Sequence, residues 1–224
     1  TQKGYKKEPL LSFSAPFVPS FTPLLHFKKE EKKHAKKKGE SLMTKTLYCI
    51  MGRTASGKSF IANKMCERFG LSQVKSYTTR APRKSEIESG KSDHLFLTKE
   101  EMEKMRDDMA AYTKIGEAEY CTTFSLLDKC DVYVIDPRGV KELKNKIKEK
   151  GKDYRVVEIY ISAPGRLRKE RYEKRGGKDF EKREEAENEQ FLAYEREGRP
   201  DIVVENTGSA EKAVDKIKRE INRG

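Results

Sequence analysis

The chain has 224 residues, 35% of them apolar and 38% charged, which sets the expectation of one domain carrying at most a lid or an inserted subdomain. Its formal charge is +12, but residues 1–42 hold ten Lys against four Glu, so half of the excess lies there and +6 is left for the other 182 residues. That residual basicity suits an enzyme handling two phosphorylated ligands at least as well as it suits nucleic acid, and no basic patch interleaved with aromatics favours the latter.

Residues 1–42 differ from the rest of the chain. Apolar residues between Leu10 and Phe27 are interrupted by Pro16, Pro19 and Pro23, and the Lys-rich run Lys28 to Lys38 follows. The apolar half is too broken for a membrane span and has no convincing small-residue cleavage site. Two expectations stand side by side. One is a disordered basic tail able to meet acidic surfaces. The other is a non-native leader, the natural chain starting at Met43, because Gly39-Glu40 is encodable as the purine-rich GGA-GAA four codons upstream. The four cysteines, Cys49, Cys66, Cys121 and Cys130, form no CxxC pair, which points to a reduced, cytoplasmic chain.

The next stretch organises everything downstream. Apolar, β-prone residues from Thr46 to Met51 lead into Gly52-Arg53-Thr54-Ala55-Ser56-Gly57-Lys58-Ser59, and Ile61, Met65, Cys66 and Phe69 follow at helical spacing. Strand, glycine-bracketed turn and helix with Lys and Ser in its first turn make a phosphate cradle. The glycines let successive backbone N–H groups face a polyphosphate, Lys58 reaches the β/γ oxygens, and the Ser59 hydroxyl is placed for Mg²⁺. Gly52 to Ser59 is thus the expected ATP-binding loop.

From Ser76 the chain reads Ser76-Tyr77-Thr78-Thr79-Arg80-Ala81-Pro82-Arg83, then Glu86, Gly90, Asp93, His94 and Phe96. Pro82 keeps Ala81 out of the α region, so the segment stays extended and two arginines three apart can fork onto one phosphate. Behind a phosphate cradle, this combination resembles the acceptor-binding signature of guanylate kinases, and the resemblance runs over about residues 46–222.

Thr98 with Glu101 forms a capping box opening a helix to Arg106. Residues 110–115 and 119–122 read as strands of a small region in which Tyr120 and Thr122 resemble the family's acceptor site. Asp131 to Asp136 reads as a buried strand ending in a carboxylate, followed by Gly139. Val140 to Lys150 is a helix with Val140, Leu143 and Ile147 on one face, and Arg155 to Ile161 a strand. A basic helix, Pro164 to Arg175, a Gly176-Gly177 turn and a charged helix, Phe180 to Glu197, come next, in which Arg171, Arg175 and Arg183 match the family's lid arginines. The bland alternative is a solvated helical face, for which Glu173, Glu181 and Glu184 are available for i,i+4-type pairing. The strand Ile202 to Glu205 ends at Asn206, which by resemblance borders adenine, and Ser209 to Ile221 is a helix burying Ala213, Val214, Ile217 and Ile221.

The resemblance implies an α/β P-loop kinase with a five-stranded parallel sheet, a small mixed acceptor subdomain at about 76–124 and an arginine-bearing lid at about 164–190, all within 43–224. It implies transfer of the ATP γ-phosphoryl group to GMP or dGMP with Mg²⁺, and a monomer or homodimer that needs neither nucleic acid nor membrane. Lys58 and the lid arginines Arg171, Arg175 and Arg183 are the expected catalytic groups. Ser76, Arg80, Arg83, His94, Tyr120, Thr122 and Asp136 are the expected acceptor site. Three departures fall on base recognition. Ala111 stands where the family carries a Glu, Val134 where it often has Asp, and His94 where it has Tyr; Glu117 and Glu119 are alternative carboxylates. Another nucleotide, a sugar bisphosphate or a non-catalytic binding module are the competing readings.

Overall fold

The computed structural model describes residues 44–223 other than 83, 91 and 116. Arg83, Met43 and the expected leader at 1–42 therefore lie outside the described residues. Four parallel strands form the main sheet in the order β6-β1-β7-β8. They are β1 (Lys45–Met51), β6 (Val132–Val134), β7 (Tyr154–Ser162) and β8 (Ile202–Glu205).

Period-two alternation sorts the side chains of β1 between two apolar layers. Leu47, Cys49 and Met51 face one layer with Tyr133, Val140, Leu143, Tyr160 and Phe191. Ile50 faces the other, with Ile159, Ile161, Val204 and residues of helices α1 (Lys58–Phe69) and α8 (Ala210–Ile221). Helices α5 (Pro137–Glu149) and α7 (Phe180–Glu197) supply the first layer; the expected face of Val140, Leu143 and Ile147 on α5 is buried there. Each fully buried Leu or Ile side chain contributes about 1.5–3 kcal/mol.

The sequence reading expected five parallel strands, and the described residues form four in this sheet. Segment 72–74 approaches β6 in the fifth position but makes a single parallel bridge, Gln73 to Val132. The chain leaves for another sheet at Ser76, too soon for a ladder to extend.

That second sheet is mixed and four-stranded, ordered β3-β2-β5-β4. Its members are β2 (Ser76–Thr78), β3 (His94–Phe96), β4 (Met109–Ile115) and β5 (Ala118–Thr123). β2 pairs parallel with β3, and β5 pairs antiparallel with both β2 and β4. Helix α2 (Lys84–Ser89) lies between β2 and β3 in the chain, and α3 (Lys99–Glu103) follows β3. The capping box at α3 forms as expected, Thr98 accepting from Glu101 N–H and Glu101 from Thr98 N–H, but the helix stops at Glu103 and a 3₁₀ turn covers Arg106–Asp108. A short α4 (Phe124–Leu127) leads towards β6, and α6 (Gly165–Lys174) precedes α7.

Candidate active site

The turn from β1 into α1 has the backbone that its glycines demand. Gly52 has φ 151° and Gly57 φ 100°. A Cβ on Gly52 would lie 2.2 Å from the Ile161 carbonyl oxygen, so only glycine lets the loop pass this close to β7. Ala55 also adopts a left-handed conformation, with φ 61°.

Lys58 Nζ folds back onto the loop, donating to the carbonyls of Gly52 at 2.6 Å and Arg53 at 3.0 Å. Desolvation lowers its pKa to about 8; Glu187 opposes that shift, while Arg175, Arg183 and Arg168 reinforce it. Ser59 is exposed in the first turn of α1. Asn206, buried just after β8, donates from Nδ2 to Ser56 O at 2.8 Å, and Arg171 reaches Ser56 O and Asn206 O at 3.4 and 3.0 Å. Asn206 and Arg171 thus brace the backbone of the cradle.

Helix α7 holds the other side of the loop. Arg53 forks onto Glu195 with two contacts of 2.9 Å and donates to Asn188 at 2.7 Å. Its hydrogen bonds hold the Glu195 carboxyl below the usual range. The Thr54 N–H donates to Glu187 Oε2 at 2.8 Å, and the Thr54 hydroxyl donates to Glu187 Oε1. Arg183 Nε contacts the same Oε1 at 3.0 Å and Thr54 Oγ1 at 3.2 Å.

A cavity of about 450 Å³ joins the cradle to the second sheet. Gly52, Thr54, Lys58, Ser76, His94, Tyr120, Asp136 and Arg183, all expected from the sequence, line it. Ser76 Oγ and His94 Nδ1 lie 2.9 Å apart, and the His94 and Tyr120 rings meet edge-on at 5.5 Å. Asp136 caps α5, one oxygen accepting from Gly139 N–H at 2.9 Å.

Other expected residues are not on its wall. Arg80 is clamped by Glu86 through two contacts of 2.9 Å, and these hydrogen bonds raise its pKa. Thr122 is fully buried, its hydroxyl without a hydrogen-bond partner among the described residues. Arg175 packs over the Tyr172 ring. Of the lid carboxylates, Glu173 makes the expected i,i+4 pair, with Lys169, whereas Glu181 and Glu184 pair between helices, with Lys169 and Arg168.

Ala111 lines the cavity opposite Thr122 in the β4–β5 register, whereas Glu117 and Glu119 are not part of its wall. Val134, Lys114, Arg138 and Gln190 also contribute. Sequence reading missed Glu187, buried and facing the cradle from 133 residues away. The signal was the Arg183 to Glu187 spacing of one helical turn.

No group of three or more His, Cys, Asp or Glu among the described residues could hold a metal ion unaided. The exposed Ser59 hydroxyl beside Lys58 fits an ion that arrives with a polyphosphate and takes one ligand from the protein.

A family model described as guanylate kinase matches residues 44–223. A guanylate kinase of Koribacter versatilis is 32% identical over 133 residues, covering 55% of this chain and 54% of that protein. One from Fusobacterium nucleatum is 32% identical over 111 residues, covering 46% and 59%. These matches span little more than half the length of the curated relatives. The crystal structure of guanylate kinase from Anaplasma phagocytophilum superimposes with a TM-score of 0.58 over 80% of this chain and 86% of that chain at 21% identity, which shows a common fold.

Proposed function

Because the chain belongs to the guanylate kinase family, we propose that it transfers the γ-phosphoryl group of ATP to a nucleoside monophosphate, GMP or dGMP before others. The observation that carries this reading is one cavity lined both by Lys58 of the cradle and by Ser76, His94, Tyr120 and Asp136. A donor phosphate and an acceptor phosphate meet inside it, and such positioning supplies much of the rate in phosphoryl transfer.

In this reading the loop amides and Lys58 hold the β and γ phosphates, and Lys58 exchanges its two carbonyl partners for phosphate oxygens. Arg80, with Arg83, holds the acceptor phosphate, and His94 and Tyr120 complete that site. Arg183 faces the transferred group; Arg171 steadies the loop, and Arg175 closes from the lid. Ser59 would hold the Mg²⁺ that ATP carries, and that ion neutralises charge on the β/γ oxygens when bound. No general base is required, because the acceptor phosphate oxygen is already anionic at neutral pH. We assign the chain to the cytoplasm, as a monomer or homodimer acting without nucleic acid; no helix among the described residues is long and apolar enough to cross a membrane.

The test is a coupled assay of ADP formation with ATP, Mg²⁺ and a panel of GMP, dGMP, AMP, CMP and UMP. The expected result is turnover with GMP and dGMP ahead of the others. Absence of turnover with every member overturns the reading.

A further inference from the structure

The cations around the cavity differ in how they are held. Lys58 lies on loop carbonyls, Arg171 on the backbone of Ser56 and Asn206, and Arg53 on Glu195 and Asn188. Arg183 is anchored through one edge only. Its Nε meets Glu187 Oε1 and Thr54 Oγ1, and neither terminal nitrogen has a hydrogen-bond partner among the described residues. The residue lines the cavity with Thr54 and Lys58.

We propose that Glu187 is the positioning residue for Arg183, holding its guanidinium by the Nε edge against Thr54 so that both terminal NH₂ groups face the path of the transferred phosphoryl group. This rests on the phosphotransferase reading above. An arginine side chain near a helix start samples many rotamers, and an anchored one loses less entropy when it meets an anion. Four residues along the helix is the spacing that stacks two side chains on one face. Glu187 uses both oxygens: Oε2 takes the Thr54 N–H, and Oε1 takes the Thr54 hydroxyl and the arginine. It is 7% exposed, a depth at which an unpaired carboxylate is strongly disfavoured, so the contact also fixes α7 to the loop. The guanidinium is thereby registered to the same loop that binds the donor phosphates.

The opposite role is a carboxylate that competes with phosphate for the Thr54 N–H, and the two roles separate kinetically. Glu187→Gln keeps the side-chain volume and one acceptor but places an NH₂ group where Oε1 accepted. The full chain and the variants E187Q, R183A and E187Q/R183A are compared in kcat, in KM for ATP and for GMP, and in thermal unfolding.

The expected result is a loss of kcat of about a hundredfold or more in R183A and about tenfold to a hundredfold in E187Q, with KM for GMP nearly unchanged and KM for ATP raised by no more than about tenfold. In the R183A background E187Q should remove nothing further, because Glu187 acts through the arginine. Unchanged kcat in E187Q, an equal loss with and without Arg183, or a lowered KM for ATP at constant kcat overturns the proposal. If the wild-type chain turns over no acceptor, the functional reading fails alone, and calorimetric ATP and ADP affinities then test Glu187. The preference for ATP over ADP should drop by the same factor, about tenfold, in all three variants; retention of that preference in E187Q but not in R183A overturns the proposal.

Discussion

Gly57 and Asn206 lie in contact across the end of the main sheet: a Cβ on the glycine would be 2.3 Å from Asn206 Nδ2, the atom that donates to Ser56 O at 2.8 Å. The loop conformation and the turn after β8 are therefore one fitted unit. Gly57→Ala must displace the asparagine and also hold an L residue at φ 100°. It should abolish measurable ATP binding in calorimetry and destabilise the fold by about 1–3 kcal/mol.

Lys58 gives two pH effects of opposite sign. Its lowered pKa of about 8, against an ordinary 10.5, means that between these values the folded side chain is neutral while the unfolded one is charged. Its contribution to stability consequently rises with pH across that window. On the proposed function ATP binding uses the ammonium form, so kcat/KM for ATP should fall as pH rises above about 8, with unchanged secondary structure. Lys58→Met should keep the fold, lower phosphoryl transfer by about a hundredfold to a thousandfold or more, and remove this ionisation from the pH profile.

The parts of the site legible in the sequence are those in which one local segment fixes the geometry. Gly52 to Ser59 encode their own turn, and Ser76 and His94 meet because two short strands pair in register; the start of α5 at Pro137, capped by Asp136, lies three residues before the expected one. What escaped reading depends on contacts across more than a hundred residues, as for Glu187 with Thr54 and Arg171 with Ser56. The fifth strand failed for a related reason: the resemblance implies a strand number but does not say how many rungs a ladder will make near Gln73 before the chain departs.

Ala111 is buried at 3% exposure, lines the cavity and faces Thr122, whose hydroxyl has no partner among the described residues. On the proposed function, Ala111→Glu puts a carboxylate on the wall of the cavity that takes the acceptor. KM for GMP should fall about tenfold to a hundredfold with kcat nearly constant, and discrimination against AMP should rise. Arg80→Ala is the control and should impair every acceptor alike, since phosphate is common to all. An unchanged KM for GMP in Ala111→Glu would show that another residue reads the base.

Ala55 holds φ 61° in the cradle, a conformation in which an L side chain is strained by about 1–2 kcal/mol. Ala55→Gly relieves that strain but enlarges the unfolded ensemble. The net expectation is a stabilisation of up to about 1 kcal/mol in denaturant unfolding, with ATP affinity retained.

The lone bridge at Gln73 has a consequence for self-association. A sheet edge with unpaired N–H and C=O groups is a template for strands of other chains. Beyond β6, Asp131 N and Val132 N both donate to Ser72 O, Val74 N donates to Val132 O, and the Asp131 carboxylate accepts from Ser72 N. The segment is too short to count as a strand, yet it occupies the groups that an intruding strand would use. Loosening it, for example with Val74→Pro, which deletes the Val74 donor, should turn this edge into a nucleus for aggregation at temperatures where the rest of the domain is still folded.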